Sequence, residues 1–205
     1  MTLLEQVVAI EAETPAEDHT DRLTSQHKLA RAYIADDQVK KAVVLLEQVI
    51  AIETETLDED HPNLLASQHE LAGAYQADGQ AKKAVALLEQ VVAIETKTLA
   101  EDHPNLLASQ YELVEAYKAT SQVEKATALL EQVVAIETKT LAEDHPRLLG
   151  SQYNLLAAYK ATGQDEKAAA LCDESYRLRL VLRGLSRYLL AEGRLGEAER
   201  STTEY

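Results

Sequence analysis

Glu59-Asp60-His61-Pro62-Asn63-Leu64-Leu65-Ala66-Ser67-Gln68 returns, letter for letter, 42 residues later as the stretch from Glu101 to Gln110. The Glu-Asp-His marker alone occurs four times at that spacing, at residues 17–19, 59–61, 101–103 and 143–145. Other slots keep step with it: Ser25-Gln26 recurs at 67, 109 and 151, Tyr33 at 75, 117 and 159, and Leu45-Leu46-Glu47-Gln48 at 87 and 129. A period of this length marks a stack of supersecondary units, each too small to bury its apolar face without its neighbours.

Within one copy the apolar spacing predicts two helices. Leu64, Leu65, Leu71, Ala72 and Tyr75 fall at three- and four-residue steps, as do Ala84, Leu87, Leu88, Val91, Val92 and Ile94, with Asp78-Gly79-Gln80 breaking the pattern between them. Pro62 suits a first helical position, with Asp60 and His61 ahead of it to satisfy free amides, and Pro104 and Pro146 repeat the arrangement. Thr20 takes the proline's place in the first copy, behind a capping Asp18. The second helix is expected from about residue 80 to residue 98. Seven Gly and four Pro among 205 residues leave little room for loops, so the chain is expected to be all-α.

Leu71, Ala72, Tyr75, Ala84 and Leu88, with Leu29, Ala30, Tyr33, Ala42 and Leu46 one copy earlier, resemble the tetratricopeptide repeat pattern. The third and fourth copies keep Leu113 with Tyr117 and Leu155 with Tyr159, while Val114 and Leu156 enlarge the small slot. Gln26, Gln68, Gln110 and Gln152 stand where that pattern usually has Trp, and an extension ending in Asp-His-Pro replaces the closing Pro of the short repeat. The extended length resembles the repeats of kinesin light chains, and the near-identity of the copies those of fungal STAND receptors. The resemblance implies a right-handed α-solenoid of antiparallel helix pairs. One array is expected over residues 1–205: a leading second helix at 1–16, copies at 17–58, 59–100, 101–142 and 143–180, and a degenerate copy or cap at 181–205.

Composition removes several classes of function. Twenty Lys and Arg against 35 Asp and Glu give a net charge of −15, which opposes binding to nucleic acid or to an anionic membrane. The longest apolar runs are too short to span a bilayer. Cys172 is the only cysteine, so no internal disulfide is possible and a reducing, cytoplasmic setting is expected; its slot matches Leu46, Leu88 and Leu130, which predicts inert packing. No phosphate loop, nucleophile elbow or zinc-protease helix occurs. The histidines at 19, 61, 103 and 145 belong to different copies, and helices stacked about 8–10 Å apart cannot bring them to one ion. The reading is a non-enzyme with no cofactor, metal or catalytic residue.

The second and third copies differ at nine positions, all between the middle of the first helix and the start of the second. His69, Gly73 and Gln76 share the helical stripe opposite Leu71 and Tyr75, which in tetratricopeptide arrays lines the concave groove. Along the array that stripe includes His27, Arg31 and Ile34, then His69 and Gln76, then Tyr111, Glu115 and Lys118, then Tyr153 and Lys160. A protein or peptide ligand is expected there, with Tyr111 and Tyr153 as anchors and Lys118 and Lys160 as cationic contacts. The acidic columns at Glu47, Glu89 and Glu131 and at Glu53, Glu95 and Glu137 are expected to coat other faces. The resemblance implies the sensor segment of a STAND-type receptor. The alternatives are a cargo-adaptor domain and end-to-end self-assembly into a homo-oligomer through Leu3, Leu4, Val7 and Val8.

Overall fold

The structure, a computed structural model, describes residues 19–172 together with Gln6. The leading helix with Leu3, Leu4, Val7 and Val8, the Asp18 cap and the degenerate copy at 181–205 lie outside the described residues. The chain divides into two compact units between Gln122 and Val123. The first holds α1 (His19–Ala35), α2 (Val39–Thr56), α3 (Pro62–Ala77), α4 (Ala81–Thr98) and α5 (Pro104–Ala119). The second holds α6 (Val123–Thr140), α7 (Pro146–Ala161) and α8, helical over residues 165–172. Among the described residues there is no strand, as an all-α helical repeat requires.

Three local devices recur at the repeat period. His61, His103 and His145 are the N-caps of α3, α5 and α7: each Nδ1 accepts from the backbone N–H two residues on, at 3.2 Å, with proline at the first helical position. The side-chain cap therefore comes from histidine. At the far end of α3 the Gly79 N–H donates to Gln76 O (3.1 Å) and the Gln80 N–H to Tyr75 O (2.7 Å), a paired closure that needs a left-handed residue between them. The same pairing occurs after Tyr33, Tyr117 and Tyr159, and residues 37, 79, 121 and 163 all have φ between 59° and 74°. Glycine fills that slot at 79 and 163; Asp37 and Ser121 occupy it against a steric cost. Each second helix ends where an extended leucine returns its N–H to a glutamate carbonyl, as Leu57 does to Glu53, Leu99 to Glu95 and Leu141 to Glu137, all at 2.8 Å.

Packing follows the pattern read from the apolar spacing. In the first unit α1 through α5 each pack against the next, and in the second α6 packs on α7. Leu46 and Leu88 are fully buried, while Ala30, Ala42, Ala72 and Ala84 have no exposed surface and let helix axes approach closely. Val114 fills the enlarged slot and is also buried. Burying a side chain the size of Leu88 is worth about 1.5–3 kcal/mol, so one leucine per copy already contributes substantially to the stacking.

Polar contacts join consecutive copies at one slot. Tyr75 Oη donates to Glu47 Oε1 (2.6 Å), Tyr117 to Glu89 (2.7 Å) and Tyr159 to Glu131 (2.8 Å). A lysine completes the node: Lys83 Nζ lies 3.6 Å from Glu47 and 4.8 Å from the Tyr75 ring centroid, and Lys167 lies 2.8 Å from Glu131 and 5.4 Å from the Tyr159 centroid. The Glu47, Glu89 and Glu131 column is thus a set of fasteners between helices and not simply a charged coat. Burial, then the hydrogen bond to glutamate and its charge, push the Tyr75 and Tyr159 hydroxyls up to about 12 and raise Tyr117 as well.

Two outcomes are expected. Ser121→Gly should stabilise the chain by about 0.5–1 kcal/mol and Gly79→Ser should destabilise it by a similar amount, because the left-handed penalty exceeds glycine's entropic cost there; urea unfolding with equal or reversed signs would contradict this. Unfolded tyrosines ionise near pH ~10 while the folded ones keep their protons, so stability present below that pH should fall as pH rises from ~10 towards 12. Tyr75→Phe should flatten that fall, and an unchanged urea midpoint from pH 9 to 11 in the parent chain would refute the linkage.

Candidate binding groove

The first unit contains two open clefts built from the same slots one repeat apart. One, about 580 Å³, lies among α1, the end of α2 and the start of α3; the other, about 440 Å³, lies among α3, the end of α4 and the start of α5. Leu23 in the first corresponds to Leu65 in the second, His27 to His69, Glu53 to Glu95, Thr56 to Thr98, Asn63 to Asn105 and Ala66 to Ala108. Arg31, Ala66 and Glu70 line both, so the clefts form consecutive stations of one groove within this unit. The groove arises because small Ala66 and Ala108 leave space that the ends of α2 and α4 do not fill.

Glu70 organises the first station. His27 Nδ1 lies 2.9 Å from Glu70 Oε2, and Arg31 donates to Glu70 Oε1 through Nε (2.7 Å) and through a terminal guanidinium nitrogen. The Ser67 hydroxyl lies 2.9 Å from His27 Nε2 and 2.9 Å from the Asn63 carbonyl. Burial pushes the Glu70 carboxyl up, but the hydrogen bonds and charges of His27 and Arg31 outweigh it and hold the group below its ordinary value. In the second station His69 Nε2 lies 3.4 Å from Glu112 Oε1 without a hydrogen bond, and burial raises the Glu112 carboxyl despite the imidazole.

The stripe expected from the sequence is placed as follows. His27, His69, Gln76 and Tyr111 are half-buried on their helices, and Arg31, Ile34, Glu115, Lys118 and Lys160 are exposed. His27, Arg31 and His69 line the clefts. Lys118 Nζ is bound to Glu115 at 2.9 and 3.1 Å, so its charge is answered on its own helix. Tyr111 belongs to the first unit; Tyr153, in the second, is 69% exposed.

Two expectations are corrected. Glu53, Glu95 and Glu137 do not coat an outer face: they are 2%, 4% and 0% exposed. Glu95 follows Leu88 by two helical turns, in phase with Val91, which places it on the packed side of α4. That heptad spacing was the available signal, and it was masked by the usual preference of glutamate for solvent. Cys172 is exposed, unlike the fully buried Leu46 and Leu88 at the same slot.

Among the described residues no group of three His, Cys, Asp or Glu could hold a metal ion, and no helix is long and apolar enough to cross a membrane. The tetratricopeptide repeat profile matches residues 36–97 and again 63–139. A crystal structure of a kinesin-light-chain-like protein from Podospora anserina, described as having nearly identical TPR-like repeats, is 57% identical with a TM-score of 0.78, covering 87% of this chain and 84% of its own. BtubC (BKLC) from P. vanneervenii shares the fold at 22% identity and TM-score 0.73, covering 89% of this chain and 73% of its own. Apo RapI does so at 14% and 0.68, covering 94% and 68%. No curated protein sequence matches the chain.

Glu70 and Glu112, at the same slot one copy apart, should respond oppositely to pH. Glu70 is depressed in the folded state, so its contribution is present above the carboxylate range and is lost as pH falls through it; Glu70→Gln should destabilise at pH 7 and reduce acid sensitivity. Glu112 is raised, so its ionisation weakens folding as pH rises, and Glu112→Gln should cost less at pH 7 than Glu70→Gln. Thermal melts at pH 4 to 7 giving both variants the same slope would reject the assignment.

Proposed function

The chain belongs to the tetratricopeptide repeat family, and from that premise we propose that it is a non-catalytic interaction module that binds a peptide or protein segment along its groove. The observation that carries this reading is the repeated cleft: two stations with the same slots, joined through Arg31, Ala66 and Glu70, suit an extended or helical segment that advances one contact per repeat. His27, Arg31, Ile34, His69, Gln76, Tyr111, Glu115 and Lys118 in the first unit, and Tyr153 and Lys160 in the second, are the proposed contacts. His27 and Arg31 act from positions already set by Glu70.

The same proposal treats residues 1–205 as one array in a cytoplasmic protein, with the boundaries given by the 42-residue period. Near-identity of the copies, and a 57% identical fungal relative with the same property, support a sensor segment of a STAND-type receptor. The alternatives are self-assembly through Leu3, Leu4, Val7 and Val8 and a cargo-adaptor-like repeat domain.

Photo-crosslinking from Ala66 and Ala108, which lie in the clefts, should capture one partner in native cells, whereas the exposed Val44 on α2 should not. Equal capture from all three positions would overturn the groove. Mass spectrometry of the endogenous polypeptide tests the receptor reading: peptides of a nucleotide-binding domain in the same chain are expected, and a native mass of 22.6 kDa would exclude it.

A further inference from the structure

The second helices of the first three copies, α2, α4 and α6, each bury one glutamate at the same slot, but the three are answered differently. Glu137 is fully satisfied: Arg147 Nε lies 2.7 Å from Oε1, and the Ser151 hydroxyl donates to Oε2. Asn63 and Asn105 stand at the arginine's slot in the other two copies and bring no charge. At Glu53, His27 Nε2 stands 3.9 Å from Oε1. Glu95 has no ion pair among the described residues: His69 is turned to Glu112, and Arg31, the arginine that lines this cleft, is bound to Glu70. Glu95 Oε2 is buried without a hydrogen-bond partner, on a carboxylate that lines the second cleft.

A buried carboxylate without a countercharge is costly, and a cation that reaches it gains both the charge interaction and the unfilled hydrogen bond. The second cleft is open and adds Asp60 at its edge, so its uncompensated charge is negative. The fourth copy shows which cation fits the slot, since there the same chain places a guanidinium on the equivalent carboxylate, beside the serine that corresponds to Ser109. We propose that the cleft between α3 and α5 receives an arginine side chain of a partner peptide, with Glu95 as its buried counterion and Asn105 marking the site as vacant. This rests on the groove reading and specifies the partner's chemistry: a segment with an arginine that reaches into the second station. A planar guanidinium presents several donors in a fixed fork and is less strongly hydrated than an ammonium, so arginine suits this site better than lysine.

The test uses the full chain and a blocked Ala-Ala-Arg-Ala-Ala peptide, with citrulline in place of arginine as the neutral isostere. Amide shifts at Thr98, Ala108 and Ser109 should saturate with the arginine peptide, and the citrulline peptide or Glu95→Gln should weaken binding at least tenfold. Asn105→Arg should copy the fourth repeat, raising the melting temperature and eliminating the peptide shifts; this gain of stability keeps the test informative even where Glu95→Gln folds poorly. Equal binding of arginine and citrulline peptides, or Asn105→Arg that neither stabilises nor blocks, would overturn the arginine site while leaving the groove intact. Absence of peptide shifts at the cleft, with partner crosslinking from Ala108 retained, would have the same meaning. Loss of cleft crosslinking as well would remove the groove reading.

Discussion

Tyr75 holds two structures together at once. Its carbonyl accepts the bond that closes the turn after α3, and its hydroxyl donates to Glu47 on the helix before, so the turn within one copy and the join to the preceding copy depend on the same residue. Tyr117 and Tyr159 do the same with Glu89 and Glu131. A hydroxyl at the end of a rigid ring sets a distance that leucine packing alone would leave adjustable. Apolar contacts make stacking favourable, while this bond defines the register between neighbouring helices. The lysine beside the Tyr75 and Tyr159 nodes limits the cost of holding a carboxylate against an aromatic hydroxyl.

Given that register, the end of each second helix is carried under the start of the next first helix, and the glutamate one heptad after the buried leucine goes with it. The fold thereby creates the same electrostatic problem in the first three copies. Histidine near Glu53, no cation at Glu95 and arginine on Glu137 are three different answers. Copies almost identical in sequence can therefore have different chemical appetites, because a single slot, asparagine or arginine, decides whether the buried charge is settled internally. In the first unit these slots line an open groove, so the unsettled charge faces the place where a ligand would lie.

The helix pairs were legible in the sequence because their signals are local. Proline followed a capping histidine, Asp78-Gly79-Gln80 broke the apolar pattern where the structure has its left-handed turn, and Leu71 with Tyr75 defined a packed stripe. The expected start of the second helix near residue 80 differs by one position from Ala81. Much of the groove was less legible. His27 and His69, on the stripe expected from the sequence, line the clefts, but the opposite wall comes from the ends of α2 and α4, which only the packing of consecutive copies brings there. Glutamate at a core phase reads as an exposed charge until that packing is known. Lys118 reads as a free cation until the geometry sets it against Glu115.

The nine differences between the second and third copies then acquire separate physical meanings. Gly79 to Ser121 changes the cost of a turn whose geometry both copies keep, and Ala72 to Val114 fills volume inside the stack. His69 to Tyr111 and Gly73 to Glu115 alter the stripe of the first helix on the groove side, away from the packed leucine and tyrosine. None of the nine touches the capping histidine, the Tyr75 slot or the buried glutamate. The capping histidine, the tyrosine bond and the buried glutamate are thus kept, while the groove stripe, the turn and individual core slots vary. A chain built this way can change what each station of its groove presents without altering the bonds that hold one station to the next.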